Sequence, residues 1–349
     1  MNAIPPDSAD QTPLRDIEPT LRQMWHDNAD DEHPVTQVRT LNLVVFVPAE
    51  QHNASLQRAI DELAVRHPGR TITLIAHAQP QPAYAQVSLA CRIGEGDKHI
   101  CGEHITLHGG DNGAPLPSTA AALLLPSLPT FVWWIGDPPF TDATFSSLIE
   151  LADRVLVDAR TWHEPDATAS MLAHVVEHTS RFACTDLLWA ALTPWRQSIA
   201  RCFDLPASQH HLRQLEHITI THGSDAHDRL RARLITGWLG SRLGWQVEAN
   251  GTLRRADGAL ITLALRQHNQ SGLHVVDLRS AGASFSVTQR PQSTCADVEI
   301  ALPQTTPARW VAPLTQQSLA AYVGEELMLL NRDEGYEAAL RFAAQLAVH

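Results

Sequence analysis

The sequence predicts an α/β N-terminal domain with a mostly parallel sheet, Rossmann-like but with no dinucleotide motif. An α+β C-terminal domain with an antiparallel meander and closing helices follows it. Three observations predict this. Phe131–Ile135 (FVWWI) is apolar on both alternating faces, which is how a strand covered on two sides reads. Strand-like runs at Leu41–Val47 and Arg70–Ala76 flank a helical pattern with Leu56, Ile60 and Leu63 on one face, a βαβ unit whose crossover is right-handed. In the C-terminal part, short strand-like runs alternate with turns at Asn250-Gly251, Asp257-Gly258 and Gln270-Ser271-Gly272.

The 349 residues fit two domains at about 100–200 residues each. Apolar residues make up 44% of the chain, enough for a sizeable core, yet no apolar run reaches the roughly 18 residues of a membrane span. The N-terminus has no charged-then-apolar secretory signal, so the expected location is the cytoplasm, with no membrane partner. A formal charge of −12, with Lys98 the single lysine, excludes the basic clusters that nucleic-acid binding requires.

Taken in order, residues 1–35 are rich in Asp, Gln and Pro and read as a mobile arm with one short helix near Leu14–Trp25. An α/β domain over 36–160 comes next, with its first helix at Ala54–Arg66. Tyr84–Ile93 and Ile100–Leu107 form a hairpin around Gly94–Asp97, and a loop symmetric about Gly96 sets Cys91 directly opposite Cys101. The other cysteines, Cys184, Cys202 and Cys295, give no CxxC and no zinc spacing. Cys91 and Cys101, facing across the strands, read either as a redox pair or as two small hydrophobes in a sheet. Leu116–Leu125 is a helix, Gly136-Asp137-Pro138-Pro139 stops the central strand, and Thr141 caps the next helix. Arg154–Asp158 is a further buried strand. A helical connection spans 161–210, and 211–349 forms the α+β domain, with closing helices near Gln316–Leu330 and Asp333–Val348.

Chemistry-bearing patterns are sparse. Gly109–Gly113 runs into a helix, an arrangement that holds phosphate on backbone N–H groups, but neither GxGxxG nor GxxxxGK[ST] is present. His174 and His178 stand at i, i+4 in HVVEH rather than HExxH, which points to surface or packing histidines. No GxSxG elbow occurs. These patterns predict no catalytic residues, no metal and no cofactor.

Four segments together resemble one family: LLLPSLPTFVWWIGDPPF (Leu123–Phe140), DLLWAALTPWRQSIARCFD (Asp186–Asp204), ITGWLGSRLGW (Ile235–Trp245) and EELMLLNRDEGYEAAL (Glu325–Leu340). In order and spacing they are similar to the OpcA family, the glucose-6-phosphate dehydrogenase assembly proteins, over nearly the whole chain from about residue 35. The resemblance implies a non-catalytic allosteric activator that binds glucose-6-phosphate dehydrogenase and favours its active oligomer at the entry to the oxidative pentose phosphate pathway. It also implies a tie to thioredoxin-type redox control in cyanobacterial relatives. Trp and Arg dominate binding hot spots, so the expected partner-binding residues are Trp189, Trp195 and Arg196, with Trp134 and Asp137 at a strand edge. The alternative is a sugar-phosphate-binding enzyme or sensor that uses the Gly109–Gly113 loop beside Asp137 and Asp158.

Overall fold

A computed structural model describes residues 11–28, 35–93, 99–179, 181–248 and 251–346. The start of the expected arm, its stretch 29–34, the hairpin loop Gly94–Asp97 and Asn250 of one expected turn lie outside the described residues. Two compact units are present, and they are not consecutive stretches of chain. The first runs to Asp158 and takes in Ser180–Thr185 and Ser318–Arg332; the second comprises Ala159–Thr179, Asp186–Gln317 and the chain from Asp333.

In the first unit, helix α1 (Ile17–Asp27) precedes strands β1 (Val35–Gln37) and β2 (Asn42–Pro48). Then come α2 (Ala54–Arg66), β3 (Arg70–Ala76), β4 (Tyr84–Ile93), β5 (His99–Gly109) and α3 (Leu116–Leu123). The unit continues through β6 (Thr130–Trp134), α4 (Ala143–Ile149), β7 (Arg154–Val157) and β8 (Ala183–Asp186). The sheet order is β1-β5-β3-β2-β6-β7-β8, with β4 antiparallel on the other side of β5. The neighbouring pairs among β5, β3, β2, β6 and β7 are parallel. Chain order reverses between β2 and β6, the point where open α/β sheets form a crevice at their carboxyl ends. β2, β3, β6 and β7 are buried almost throughout because helices cover both faces of a parallel sheet. The helix Leu319–Glu326 packs on α2.

The N-terminal segment departs from the expected mobile arm, because α1 is docked on the first unit. Ile17 and Leu21 are buried, and polar contacts with a buried ion pair hold the rest. Arg70 Nε donates to Glu103 Oε2 at 2.7 Å, and Arg70 Nη1 donates to Glu18 Oε1 at 2.5 Å and to the Leu123 carbonyl at 2.6 Å. Trp25 Nε1 donates to Glu103 Oε1 at 2.8 Å. Beyond α1, Thr12 bridges to Ala85 on β4 by two backbone hydrogen bonds. Composition alone suggested disorder; partners more than fifty residues away supply the order.

The second unit begins with α5 (Pro165–His178), α6 (Leu187–Ala191), α7 (Thr193–Arg201) and α8 (Pro206–Leu212). The expected helical connection over 161–210 is therefore not helical throughout: four buried residues, Ala183–Asp186, form β8 in the sheet of the first unit. Strand β9 (His217–Gly223) leads into α9 (Ala226–Leu243), capped by the Asp225 side chain and closed by left-handed Gly244. The short strands β10 (Gln246–Val247) and β11 (Leu253–Arg254) follow. The meander is β12 (Leu260–His268), β13 (Leu273–Ser280), β14 (Ala283–Gln289), β15 (Cys295–Ala301) and β16 (Ala308–Pro313). Its sheet runs β10-β11-β12-β9-β13-β14-β15-β16, antiparallel except for the β9/β12 pair. Asp142, not Thr141, caps α4, because its carboxylate accepts from the Thr144 and Phe145 N–H groups. Among the described residues, no helix is long and apolar enough to cross a membrane.

The closing helix Glu334–Gln345 packs on α9 at backbone distance. A Cβ on Gly237 would stand 2.2 Å from the Ala339 carbonyl oxygen, and one on Gly240 would fall 2.4 Å from the Phe342 ring. Two effects therefore oppose each other at Gly237. Ala is the better helix former by about 1 kcal/mol, but overpacking backbone against backbone costs about 1–3 kcal/mol. Gly237→Ala is expected to lower the urea midpoint; a raised midpoint shows that propensity wins and that the helices separate freely.

Candidate functional site

At the reversal of strand order in the first unit, the ends of β2, β3 and β6 enclose a cavity of about 390 Å³. Its apolar wall is made by Phe46 and Trp134, stacked at 3.9 Å with ring planes 8° apart. Phe145 meets the Trp134 ring edge-on at 4.9 Å, and Trp134 Nε1 donates to the Asp137 carbonyl at 3.3 Å. Glu50, Asp137 and Asp142 also line the cavity, with Gln51 and Asn112. Gly136 turns the chain at φ 85°, and a Cβ there would lie 2.9 Å from the Gln51 amide.

This is where a doubly wound sheet holds the pyrophosphate of a dinucleotide on the first helix N-terminus. Here Asn53 caps α2, its Oδ1 accepting from Ser55 N at 3.0 Å and Leu56 N at 3.1 Å. The N–H groups that would cradle phosphate serve the protein's own cap, and three carboxylates on the wall repel an anion. In the Gly109–Gly113 loop, Asn112 N donates to His77 O at 2.9 Å, Gly113 N to Gly110 O at 2.9 Å and Ala114 N to Asp111 O at 3.1 Å. That loop meets Asp137 at the cavity through Asn112, whereas Asp158 is buried and does not line it. Its glycines answer to close packing: a Cβ on Gly113 would lie 2.9 Å from the Ala76 methyl.

Beside the loop, His77 Nε2 and His108 Nδ1 share a hydrogen bond at 3.2 Å, and the His108 ring stacks on Tyr84 at 4.5 Å. Burial, followed by the neighbouring His77 and His52, lowers His108 to a pKa of about 4.

The partner-binding residues expected from the sequence fall in both units. Trp134 and Asp137 belong to the first, with Trp134 buried in the aromatic stack. Trp189, Trp195 and Arg196 belong to the second. Trp189 is 4% exposed and Trp195 5% exposed, so both indoles stabilise their own unit and offer little area to a partner. Trp189 Nε1 donates to Asp333 Oδ2 at 2.9 Å. Arg196 lies 3.5 Å above the Trp189 ring and donates to the Trp189 carbonyl at 2.6 Å and to Thr193 Oγ1 at 2.9 Å. The physical reason is helical phase: α6 and α7 turn these indoles inward.

Exposed apolar area stands elsewhere. Met328, Leu329 and Leu330 are 72, 48 and 64% exposed in a loop that follows the helix Leu319–Glu326. The loop backbone is held from beneath. Buried Arg154 on β7 donates through Nε to the Leu329 carbonyl at 2.9 Å and through Nη2 to the Asn331 carbonyl, with Glu326 at 3.6 Å from its Nη1. The sequence hid this loop because its leucines continue the helical pattern of Gln316–Leu330.

Cys91 and Cys101 are directly opposite on β4 and β5 and joined by a disulfide, with Cys101 buried and Cys91 exposed. Cys184 and Cys202 are free and buried, and Cys295 is free and half-buried. His174, Glu177 and His178 bring ligand atoms within 4.8 Å of one another, all exposed, a grouping that helical spacing produces without an ion.

Two sequence domains cover most of the chain. The N-terminal domain of the glucose-6-phosphate dehydrogenase subunit family matches residues 60–174, and its C-terminal domain matches residues 182–340. The chain belongs to the OpcA family of glucose-6-phosphate dehydrogenase assembly proteins. An OpcA described as an OxPP cycle protein in Nostoc punctiforme is 34% identical over 200 residues, 56% of this chain and 42% of that protein. The Synechocystis OpcA is 32% identical over 189 residues, 53% of this chain and 39% of that protein. The match thus spans less than half the length of these OpcA relatives. An oxidoreductase structure from Sinorhizobium meliloti aligns over 89% of this chain and 97% of its own at 8% identity and a TM-score of 0.48, a likeness that carries no function. All four segments that suggested OpcA lie wholly or partly inside the two matched domains.

Two outcomes follow for this chain. The folded protein keeps His108 neutral while the unfolded imidazole binds a proton near pH 6.5, so stability falls as pH drops from 6.5 towards 4 and levels off below that. Urea midpoints across that range check it: His108→Gln should flatten the slope, and an unchanged slope assigns the acid loss to other groups. Trp195→Ala is expected to cost about 3–5 kcal/mol, as truncation of a core indole does; a midpoint within error of the parent returns Trp195 to the surface.

Proposed function

We propose that this chain binds glucose-6-phosphate dehydrogenase, favours its active oligomer and is not itself a catalyst. The observation that carries the reading is the ordered match of both subunit domains across residues 60–174 and 182–340. The crevice supports it from a separate direction. At the place where a doubly wound sheet gathers a phosphorylated cofactor, the first helix is capped by Asn53 and the wall is acidic. A chain built this way is poor at nucleotide chemistry and retains the fold as a platform.

The mechanism is linkage. A protein that binds the active assembly of an enzyme more tightly than the idle one shifts the population by the difference in its affinities. About 1–3 kcal/mol of difference changes the ratio 5- to 150-fold. The loop Met328–Leu330 is the contact surface this reading favours, with its side chains outward and its backbone held by Arg154 at the carbonyls of Leu329 and of Asn331 just beyond it. Ordering the loop before binding lowers the entropy lost on association. A specific interface buries about 1,000 Å² or more, so the loop is one anchor within a wider contact.

Titrating the chain into the dehydrogenase of the same organism should raise its rate and its mass in solution together. An unchanged rate and mass defeats the reading. Met328→Asp combined with Leu330→Asp should weaken activation about tenfold or more, as loss of an interface anchor does, while the folding free energy changes by about 0.5 kcal/mol or less. Full activation by the double variant would place the contact elsewhere.

A further inference from the structure

The second unit carries a cavity of its own, about 300 Å³ in volume, between the meander and the helical segment that precedes it. Trp195, Leu192, Leu273 and Leu314 supply its apolar lining. Arg160 and Arg231 reach its wall, and Gln289, Ser293 and Thr294 add neutral hydrogen-bonding groups. Among the described residues, no carboxylate lines it. The size lies at the lower end of small-ligand sites, and an apolar wall with a few convergent polar groups is the composition such sites share.

The arginine on one wall is built into place. Asp228, fully buried on α9, pairs with Arg231 and also accepts from the Gly272 N–H at 2.7 Å and the Ser271 hydroxyl at 3.0 Å. Burial pushes the Asp228 carboxyl up, but the Gly272 N–H, Arg231 and the Ser271 hydroxyl outweigh it and hold the carboxyl below its ordinary range. Asp228 fits because Gly223 has no side chain: a Cβ there would lie 2.1 Å from Asp228 Oδ2. One buried carboxylate thus fixes the Ser271-Gly272 turn and aims the Arg231 guanidinium, two components of the same wall. A buried ion pair is a poor source of stability, since desolvation offsets much of the attraction. Its use here is positional.

We propose that this cavity in the second unit is a binding site for a small phosphate monoester. Guanidinium forks match the geometry of phosphate oxygens. Arg160 and Arg231, the latter with its charge already matched by Asp228, stand beside hydroxyl and amide donors, and this set of forks and donors suits a head with three acceptor oxygens. The indole and leucines face the organic body, which inorganic phosphate lacks. The site owes nothing to the dehydrogenase reading, since binding is a property of the isolated chain.

Isothermal calorimetry on the full chain tests the proposal, with glucose 6-phosphate, inorganic phosphate, glucose and succinate as probes. Expected is saturable binding of the ester, about tenfold tighter than inorganic phosphate, none for glucose, and an affinity that falls with salt. Arg160→Gln should weaken the ester about tenfold, the loss of a charge-assisted contact. Arg231→Lys keeps the charge beside Asp228 but removes the fork, and should weaken it as well. If either variant melts early, Gln289→Leu provides the comparison. The proposal is overturned by no saturable heat at millimolar ester, by succinate binding as tightly as the ester, by inorganic phosphate binding as tightly, or by undiminished binding in folded Arg160→Gln. None of these outcomes bears on activation of the dehydrogenase.

Discussion

Arg154 is the interaction on which the first unit depends. Its guanidinium is removed from water on a sheet strand and meets the chain again some 175 residues later, at the carbonyls of Leu329 and Asn331. Breaking such a contact strands a buried charge, a loss of about 3–5 kcal/mol by comparison with other buried pairs. Sheet, returning helix and exposed loop are therefore one cooperative piece, although they are far apart in sequence. The fold and the placement of the exposed loop have a common cause.

The same unit shows how a doubly wound sheet can keep its architecture while the crevice at its strand ends carries its own lining. The central strands are fixed by burial on both faces, which constrains residue type but not chemistry at their ends. Those ends carry an Asn cap, an aromatic stack and three carboxylates. Each change is local, and none disturbs the strand order. Fold and site thus vary separately here.

Elements whose evidence is local were legible in the sequence. The helix Ala54–Arg66 and the strand Arg70–Ala76 fall where periodicity places them, since one-sided and two-sided burial leave unambiguous patterns. The facing of Cys91 and Cys101 was legible too, because alternation and a symmetric loop determine a hairpin register. Ala183–Asp186 was not: four residues without alternation become a strand only because an edge is waiting for them. Docking of α1 depends on Glu103 and Arg70, which no local window contains. Of the candidate site, the crevice at Trp134 and Asp137 was read correctly as a strand end, but the exposure of Trp189 and Trp195 was not readable from composition, since helical phase relative to the core decides it.

The bond between Cys91 and Cys101 also bears on colloidal behaviour. β4 forms the rim of its sheet, and Ile93 near its tip is 69% exposed. A rim strand presents unsatisfied amides that can template stacking by other molecules. Thr12 covers one end of this rim and the covalent link fastens the other, so the strand cannot peel away and uncover β5. Both ends of the rim are thereby fastened, one by backbone hydrogen bonds and the other by a covalent bond that reducing conditions would cleave.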